Sequence, residues 1–328
     1  MSATLRPAMT AAAIAAVLLG AAALARPSVW GNFTAATPNA GNSITAATDF
    51  RAPAASASAI GKTTGGIVGQ IKKSGTYYVY AKVSDTGNPA SGVSTVTADV
   101  SSITPGSTAV ALASGSFTAG GVTYNRRSAA LTAGSTLAAG SYGYSLTLTD
   151  VAGNSKTQSG FTVTVDNTVP SGTDVQTANG GTSSGLAEAG DTFSFAFSEA
   201  PDPNSILAGW SGAATNVVVR LNNGSTTNDT VTIFNSANTT QLPLGSVNLG
   251  AGDYTSANLT FGATGTASKM VLSGSTVTIT LGTQSAAAIN AAANGTMTWT
   301  PSASATDAAG NGVSTTAVTE SGAADREF

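Results

Sequence analysis

The stretch Tyr142-Gly-Tyr-Ser-Leu-Thr-Leu-Thr149, followed by Asp150-Val-Ala-Gly-Asn154, decides the fold of this chain. Apolar side chains at every second position are typical of a strand with one buried face. Asp and Asn can hydrogen-bond their own backbone two residues on, and Gly accepts the positive φ of a tight reversal. The turn recurs as Asp307-Ala-Ala-Gly-Asn311. We therefore expect two modules that close with the same hairpin.

Alternation with a period of two continues on both sides of this hairpin and predicts half-buried antiparallel strands. The strands are expected at 76–84, 96–100, 161–165, 193–197, 216–221, 229–234, 275–281 and 296–300. In the first of them, Val79, Ala81 and Val83 form the expected core face. The Ala-rich residues 285–293 are the one segment whose composition favours a helix. The predicted fold class is all-β, with two tandem antiparallel Ig-like β-sandwiches after an N-terminal signal segment.

The predicted modules cover residues 54–168 and 169–328. Residues 26–53 are interpreted as an N-terminal strand segment and linker, and small residues around Pro53 extend the linker character to position 59. The second module is longer than a minimal sandwich, so we expect an insertion or extra hairpins over 235–269.

The composition excludes most enzyme chemistry. Without Cys or His, the chain has no thiolate nucleophile, imidazole base or usual zinc ligand. A carboxylate pair for glycoside cleavage would come from Asp191, Glu199, Asp202 or Asp253, but the sequence places no two of them across a cleft. The 13 basic and 16 acidic residues are scattered, which argues against a nucleic-acid partner. We predict that the protein is not an enzyme.

Residues 1–25 have the pattern of an export signal. Arg6 precedes an apolar run over 11–25 that closes on the small-x-small triplet ending at Ala25. The run is shorter than the roughly twenty residues that span a bilayer comfortably. We therefore expect cleavage after Ala25, no stable transmembrane anchor, and a secreted, extracellular protein that associates with the cell surface.

Two segments resemble known bacterial surface modules. Residues 142–170, with the turn and the exit Val165-Asp-Asn-Thr-Val-Pro170, resemble the end of the Ig-like repeats of long surface adhesins, and the resemblance covers about 54–168. The stretch Gly190-Asp-Thr-Phe-Ser-Phe-Ala-Phe-Ser-Glu199 with its Pro-rich loop resembles the opening of the Ig-like domains of S-layer proteins. Both resemblances imply a fold and leave the ligand open.

A third segment resembles the start of camelysin and biofilm-fibre proteins. It comprises Trp30-Gly-Asn-Phe-Thr-Ala-Ala-Thr37 and Gly41-Asn-Ser-Ile-Thr-Ala-Ala-Thr48. That resemblance implies release by a dedicated signal peptidase. Some members of the family polymerise by lending an N-terminal strand to a neighbour.

Two candidate ligand sites follow from residue type. Asp150, Asn154, Asp166 and Asn167 offer oxygens to a Ca²⁺ that would stiffen the module junction, and the alternative is that each only forms an Asx turn. Trp210 and Tyr254 are candidates for a glycan-stacking platform, and the alternative is that they are core residues. No other cofactor is expected.

The composition and the resemblances favour a non-catalytic structural or adhesion protein of the bacterial cell surface. Its expected partners are other surface proteins or cell-envelope polysaccharide. One alternative is a fibre subunit whose residues 28–50 complete a neighbouring sandwich, which would make the protein self-associate. Another is a carbohydrate-binding accessory module that uses Trp210.

Overall fold

The computed structural model describes residues 49–62, 66–87, 89–289 and 293–328, and these residues form two tandem β-sandwiches. The all-β prediction is confirmed. Within the described residues the helical content is a single turn, α1 (Pro203–Ile206), and no helix is long and apolar enough to cross a bilayer. The predicted signal segment lies outside the described residues.

Module 1 is built from nine strands. They are β1 (Ala54–Gly61), β2 (Gln70–Ile71), β3 (Thr76–Ser84), β4 (Val93–Asp99), β5 (Val110–Ala119), β6 (Val122–Ser128), β7 (Leu131–Thr132), β8 (Gly140–Asp150) and β9 (Ser155–Val165). Their order is β1-β3-β6-β5-β4-β8-β9-β2, with β7 paired to β3. All pairs are antiparallel except β2 with β9.

Module 2 is built from ten strands. They are β10 (Gly172–Ala178), β11 (Thr192–Phe197), β12 (Thr215–Asn222), β13 (Thr230–Asn235), β14 (Gln241–Asn248), β15 (Leu259–Phe261), β16 (Ser268–Ser273), β17 (Thr276–Thr280), β18 (Thr298–Thr300) and β19 (Val318–Thr319). Their order is β10-β11-β17-β16-β12-β13-β14-β18-β19, with β15 paired to β12. Residues 235–269, where an insertion or extra hairpins are expected, contain β14, which pairs with β13 and β18, and β15, which pairs with β12.

The core of module 1 follows the predicted alternation. Val79, Ala81 and Val83 on β3 are buried between the layers, as expected. Tyr80 points to the opposite side of β3 and is also buried, in a separate small cluster with Tyr124. Module 1 therefore buries apolar surface on both faces of β3.

The core of module 2 is aromatic. Phe195 and Phe197 on β11 meet the ring of Trp299 edge-on, with centroids 5.2 and 5.0 Å apart. Phe328 packs against Phe193 at 5.1 Å, also edge-on. Because edge-to-face pairs stabilise beyond the area they bury, these rings hold β11 against β18 and the C-terminal residues.

Two local predictions are wrong. Residues 54–59, expected as linker, belong to β1, because Ala55 and Ile60 are buried and the strand pairs with β3 from Ala54 to Gly61. Residues 285–289 of the expected helix are irregular, and residues 290–292 lie outside the described part of the chain. Short Ala-rich helices are marginal without packing, so the backbone follows the neighbouring strands instead.

Candidate functional site

The two repeated turns have the same geometry. Asp150 accepts the backbone N–H of Asn154 on Oδ1 at 2.7 Å, and Asp307 accepts that of Asn311 at 2.8 Å. In both turns the Asn amide donates to the other oxygen of the same carboxylate at 2.8 Å. Each Asp therefore closes its turn by accepting from the residue four positions on, and not two positions on as in an Asx turn.

Each turn also binds the segment that enters its own module. Asn154 Nδ2 donates to the backbone carbonyl of Asp49 at 3.0 Å, and Asn311 Nδ2 donates to that of Asp166 at 3.0 Å. Asp49 precedes β1, and Asp166 follows β9 on the way to β10. The last hairpin of each sandwich is thus fastened to the start of the same sandwich.

These contacts assemble a trio of carboxylates at each module entrance. The first acidic trio is Asp49, Asp85 and Asp150, and the second acidic trio is Asp166, Glu199 and Asp307. Within each trio, one carboxylate oxygen of every residue lies within 4.8 Å of the others. The middle member follows the second long strand of its module, since Asp85 comes directly after β3 and Glu199 comes two residues after β11.

The first acidic trio is well supplied with backbone donors. Asp49 accepts the N–H groups of Arg51 and Ser91 at 2.9 and 2.8 Å, and these bonds lower its pKa. Asp85 accepts those of Gly87 and Gly92 at 3.2 and 2.7 Å. These carboxylates are therefore stabilised as anions by the loops around them.

The second acidic trio accepts fewer backbone N–H hydrogen bonds than the first. Asp166 accepts the N–H of Thr168 on Oδ1 at 2.9 Å. Oε1 of Glu199 is buried and has no hydrogen-bond partner among the described residues. Burial, and then the negative charges of Asp307 and Asp166, raise the pKa of Glu199. This trio therefore carries an uncompensated electrostatic cost that a cation would remove.

Next to the second trio, Lys62 of module 1 reaches into module 2. Its ammonium lies 2.9 Å from Oδ2 of Asp202, and both side chains are largely buried. The same ammonium donates to the backbone carbonyl of Asp307 and to Oγ1 of Thr306. The N–H of Ser314 also donates to the carbonyl of Pro170 at 2.8 Å. The entrance of module 2 is thus held by the contacts of Lys62 from module 1 and by the hydrogen bond of Ser314 from module 2.

The structure groups the four predicted calcium ligands differently from the expectation. Asp150 and Asn154 lie at one end of the eleven-residue strand β9, and Asp166 and Asn167 follow its other end. A strand of that length separates them by roughly 35 Å. The amide of Asn167 is engaged elsewhere, because it accepts from Lys73 N and donates to Leu137 O, both at 2.9 Å. Their placement at a single hairpin end is wrong.

Sequence reasoning missed Asp49, Asp85 and Asp307 as members of acidic clusters and treated Glu199 as a strand-end residue. The signal that could have found them is positional. In both modules an acidic residue follows the second long strand, and another occupies the entering segment. Since the second repeated turn was recognised, aligning the two modules on their turns would have placed these residues in register.

The two aromatic candidates are core residues. Tyr254 is 0% exposed, its hydroxyl accepts the N–H of Glu327 at 2.8 Å, and its ring packs against Phe328. Trp210 is 7% exposed and donates from Nε1 to the carbonyl of Ala213 at 2.5 Å. Neither ring presents a face to solvent, so these residues do not form the exposed platform that the sequence suggested.

Two of the four candidate catalytic carboxylates, Asp191 and Asp202, have structural partners. Asp191 is fully buried and accepts backbone N–H groups of Gly180, Gly181 and Glu188. Asp202 caps α1 by accepting the N–H of Asn204 at 3.0 Å. Buried carboxylates satisfied in this way order loops, and these contacts account for both residues without a substrate.

Comparison with known families assigns the first sandwich. Residues 80–167 match the family model described as a bacterial Ig-like domain. Module 1 is thus similar to bacterial Ig-like domains over this stretch. The matched part runs from β3 to the residue after Asp166, so it contains Asp85, Asp150 and Asn154 of the first entrance. Ig-like domains of this kind are typically non-enzymatic and extracellular or surface-located.

No curated protein matches the chain. The family match ends before module 2, so the resemblance of residues 190–199 to S-layer Ig-like domains stays an interpretation. The segment that resembles camelysin precedes position 49 and lies outside the described residues. The Ig-like assignment therefore rests on module 1, and the shared turn and trio geometry relate module 2 to it.

Proposed function

We propose that this chain is a secreted, non-catalytic protein of the bacterial cell surface whose two Ig-like sandwiches form a stiff adhesion-type unit. The observation that carries the proposal is the second acidic trio, which sits where one sandwich passes into the next. A surface protein that presents a binding face away from the cell needs its modules held in a fixed relative orientation. The proposed function therefore depends on the joint between the two modules.

Calcium fits the second acidic trio. Ca²⁺ takes six to eight oxygen ligands, mostly carboxylates and carbonyls, in flexible geometry. Three carboxylates converge here, and Oε1 of Glu199 is buried without a partner among the described residues. A divalent cation would supply that partner and offset the repulsion that raises the pKa of Glu199. We propose that Asp166, Glu199 and Asp307 hold the ion and that Asn311 fixes Asp307.

The protein contacts around the trio support a stiff joint. Lys62 binds Asp202 and the carbonyl of Asp307, while Ser314 binds Pro170. The proposed ion would add a further cross-link at the same place. Because the chain has no Cys, this joint has no disulfide, and its fixation depends on ionic and hydrogen-bonding contacts.

Small-angle X-ray scattering of the purified chain tests the proposal. With millimolar calcium we expect the profile of an elongated two-module particle with one preferred orientation. With a chelator, the two modules should take many relative orientations, so that the scattering profile becomes an average over particles of different maximum dimension. Glu199→Gln should resemble the chelated state even in calcium, whereas Asp85→Asn, which alters the other entrance, should leave the module–module orientation unchanged. Identical profiles in calcium and chelator would contradict a calcium-fixed joint.

The fibre alternative stays a prediction. Its donor segment, residues 28–50, lies almost entirely outside the described residues. The carbohydrate alternative loses the residues on which it was based, since Trp210 and Tyr254 are buried.

A further inference from the structure

The outer face of β3, β5 and β6 in module 1 carries aromatic and basic side chains that the main core does not use. They belong to a small apolar cluster around Tyr80 that is separate from the sandwich core. We call this surface the aromatic–basic face, and it consists of Tyr78, Lys82, Phe117, Tyr124 and Arg127. Neither the acidic trios nor the module joint involves it.

Arg127 is held in place by two rings. Its guanidinium carbon lies 4.4 Å from the ring centroid of Phe117 and 5.1 Å from that of Tyr78. Arg127 is directly opposite Tyr80 in the β3–β6 ladder. Contact with two aromatic rings and a hydrogen bond to the hydroxyl of Tyr80 restrict this arginine side chain. A guanidinium carries five N–H donors, so a bond to one hydroxyl does not use all of them. Among the described residues no carboxylate forms an ion pair with it.

Lys82 adds a second positive charge to the same face. It lies two positions after Tyr80 on β3, so both side chains point to the same side of the strand. The side chain is exposed, and within the described part of the chain it has no ion pair. In a chain with a net charge of −3, two adjacent cations without a carboxylate partner form a local positive patch.

A cavity of about 410 Å³ opens beside Lys82. It exists because β3 and β6 separate after Ala81, where their ladder ends. Beyond this point the side-chain amide of Asn125 takes the place of backbone ladder bonds. It accepts from Val83 N at 2.8 Å and donates to Val83 O at 2.7 Å. The cavity lining is rich in hydroxyl groups and contains Ser56, Lys82, Ser84, Ser116, Thr123 and Tyr124.

We propose that the aromatic–basic face binds an acidic polysaccharide, with one uronic-acid-type residue in the cavity. Hydroxyl side chains match sugar hydroxyls, and Lys82 and Arg127 match the carboxylates of successive residues. Sugar rings pack well on aromatic side chains, which Tyr78 and Phe117 supply at the surface and Tyr124 in the cavity. The volume lies within the roughly 300–1,000 Å³ that is typical of small-ligand pockets.

An acidic polysaccharide fits this face better than a nucleic acid. Nucleic-acid binding depends on many lysine and arginine contacts to phosphates, and this face offers only two of the described cations on a chain of net negative charge. The inference gives the proposed adhesion function a ligand class and rests on that function for the extracellular location. It does not depend on the calcium-fixed joint.

Binding of the purified chain to immobilised polygalacturonate, dextran and a single-stranded oligonucleotide tests the inference. We expect binding to polygalacturonate that weakens with salt, and little binding to neutral dextran. Lys82→Gln should weaken it about tenfold or more, because a hydrogen bond to a charged group is lost. Lys156→Gln removes an exposed lysine of β9 in the same module and should have no effect. Arg127→Lys keeps the charge, loses the planar stacked group and should also weaken binding.

Thermal unfolding of each variant shows whether it is folded before binding is compared. Any of three results would overturn the inference. Dextran could bind as well as polygalacturonate, Lys82→Gln and Lys156→Gln could lose the same amount of binding, or the oligonucleotide could bind in preference to polygalacturonate. Glu199→Gln tests whether the proposed glycan site is independent of the proposed calcium-fixed joint. That variant should bind polygalacturonate like the unmodified chain, so failure of the joint and failure of the glycan site give different results.

Discussion

Asn311 donates its side-chain amide to the backbone carbonyl of Asp166 at 3.0 Å, across 145 residues of sequence. The same amide donates to the carboxylate of Asp307 at 2.8 Å. One side chain thus joins the closing hairpin of module 2 to the segment that leaves module 1. Asn154 makes the equivalent contact to Asp49 at the entrance of module 1.

Replacement of this amide should destabilise the chain. Asn311→Ala removes two hydrogen bonds and leaves the buried carboxylate of Asp307 without one of its donors. We expect a loss of about 1–3 kcal/mol in the free energy of unfolding, measured by urea denaturation. Asn228→Ala, at an exposed position between β12 and β13, is the matched control and should change the midpoint little. Equal midpoints for the two variants would contradict the role assigned to Asn311.

The ion pair between the modules gives a second test. Lys62→Met removes the ammonium and leaves Asp202, which is 2% exposed, without its positive partner. The expected loss in unfolding free energy is about 1–3 kcal/mol, because a buried acceptor loses a charged donor. Lys156→Met, at an exposed position without an ion pair among the described residues, serves as the control. If Lys62→Met were as stable as this control, the ion pair would not hold the joint.

The buried Glu327 predicts a pH dependence of stability. Burial first, and then the nearby carboxylates of Glu320 and Asp325, together raise the pKa of its carboxyl from 4.5 to about 8. Thr177 donates to Oε2 at 2.6 Å, while Oε1 has no partner among the described residues. Above pH 4.5 the unfolded chain loses this proton while the folded chain keeps it.

Stability should therefore fall as the pH rises from about 4.5 and should level off above about 8. Glu327→Gln keeps an acceptor for Thr177 and removes the ionisation, so it should flatten this part of the profile. Melting temperatures between pH 5 and 9 measure the effect. A stability that rises over this interval, or a profile that Glu327→Gln leaves unchanged, would contradict the prediction.

The strands were predictable because their signal is local. The alternation of Val79, Ala81 and Val83 is enough to identify the buried face of β3, and the repeated turn identifies the closing hairpin. The start of β1 was not predictable, since Ala and Ser have little strand preference. Only its pairing with β3, from Ala54 to Gly61, makes that segment a strand.

The acidic trios depend on long-range contacts. Asp166 and Asp307 are far apart in sequence, and nothing local to either residue indicates that they meet. The burial of Tyr254 likewise depends on Phe328, which folds back from the end of the described chain. Residue type therefore indicated acidic and amide residues near the module junction, while the grouping of the carboxylates into two trios depends on the tertiary fold.

Calorimetric titration of calcium into the purified chain tests the central claim most directly. We predict saturable binding that Glu199→Gln abolishes at the joint and that Asp85→Asn leaves intact, because only Glu199 belongs to the trio between the modules. Absence of calcium binding to the unmodified chain, or binding that Glu199→Gln does not change, would contradict the account.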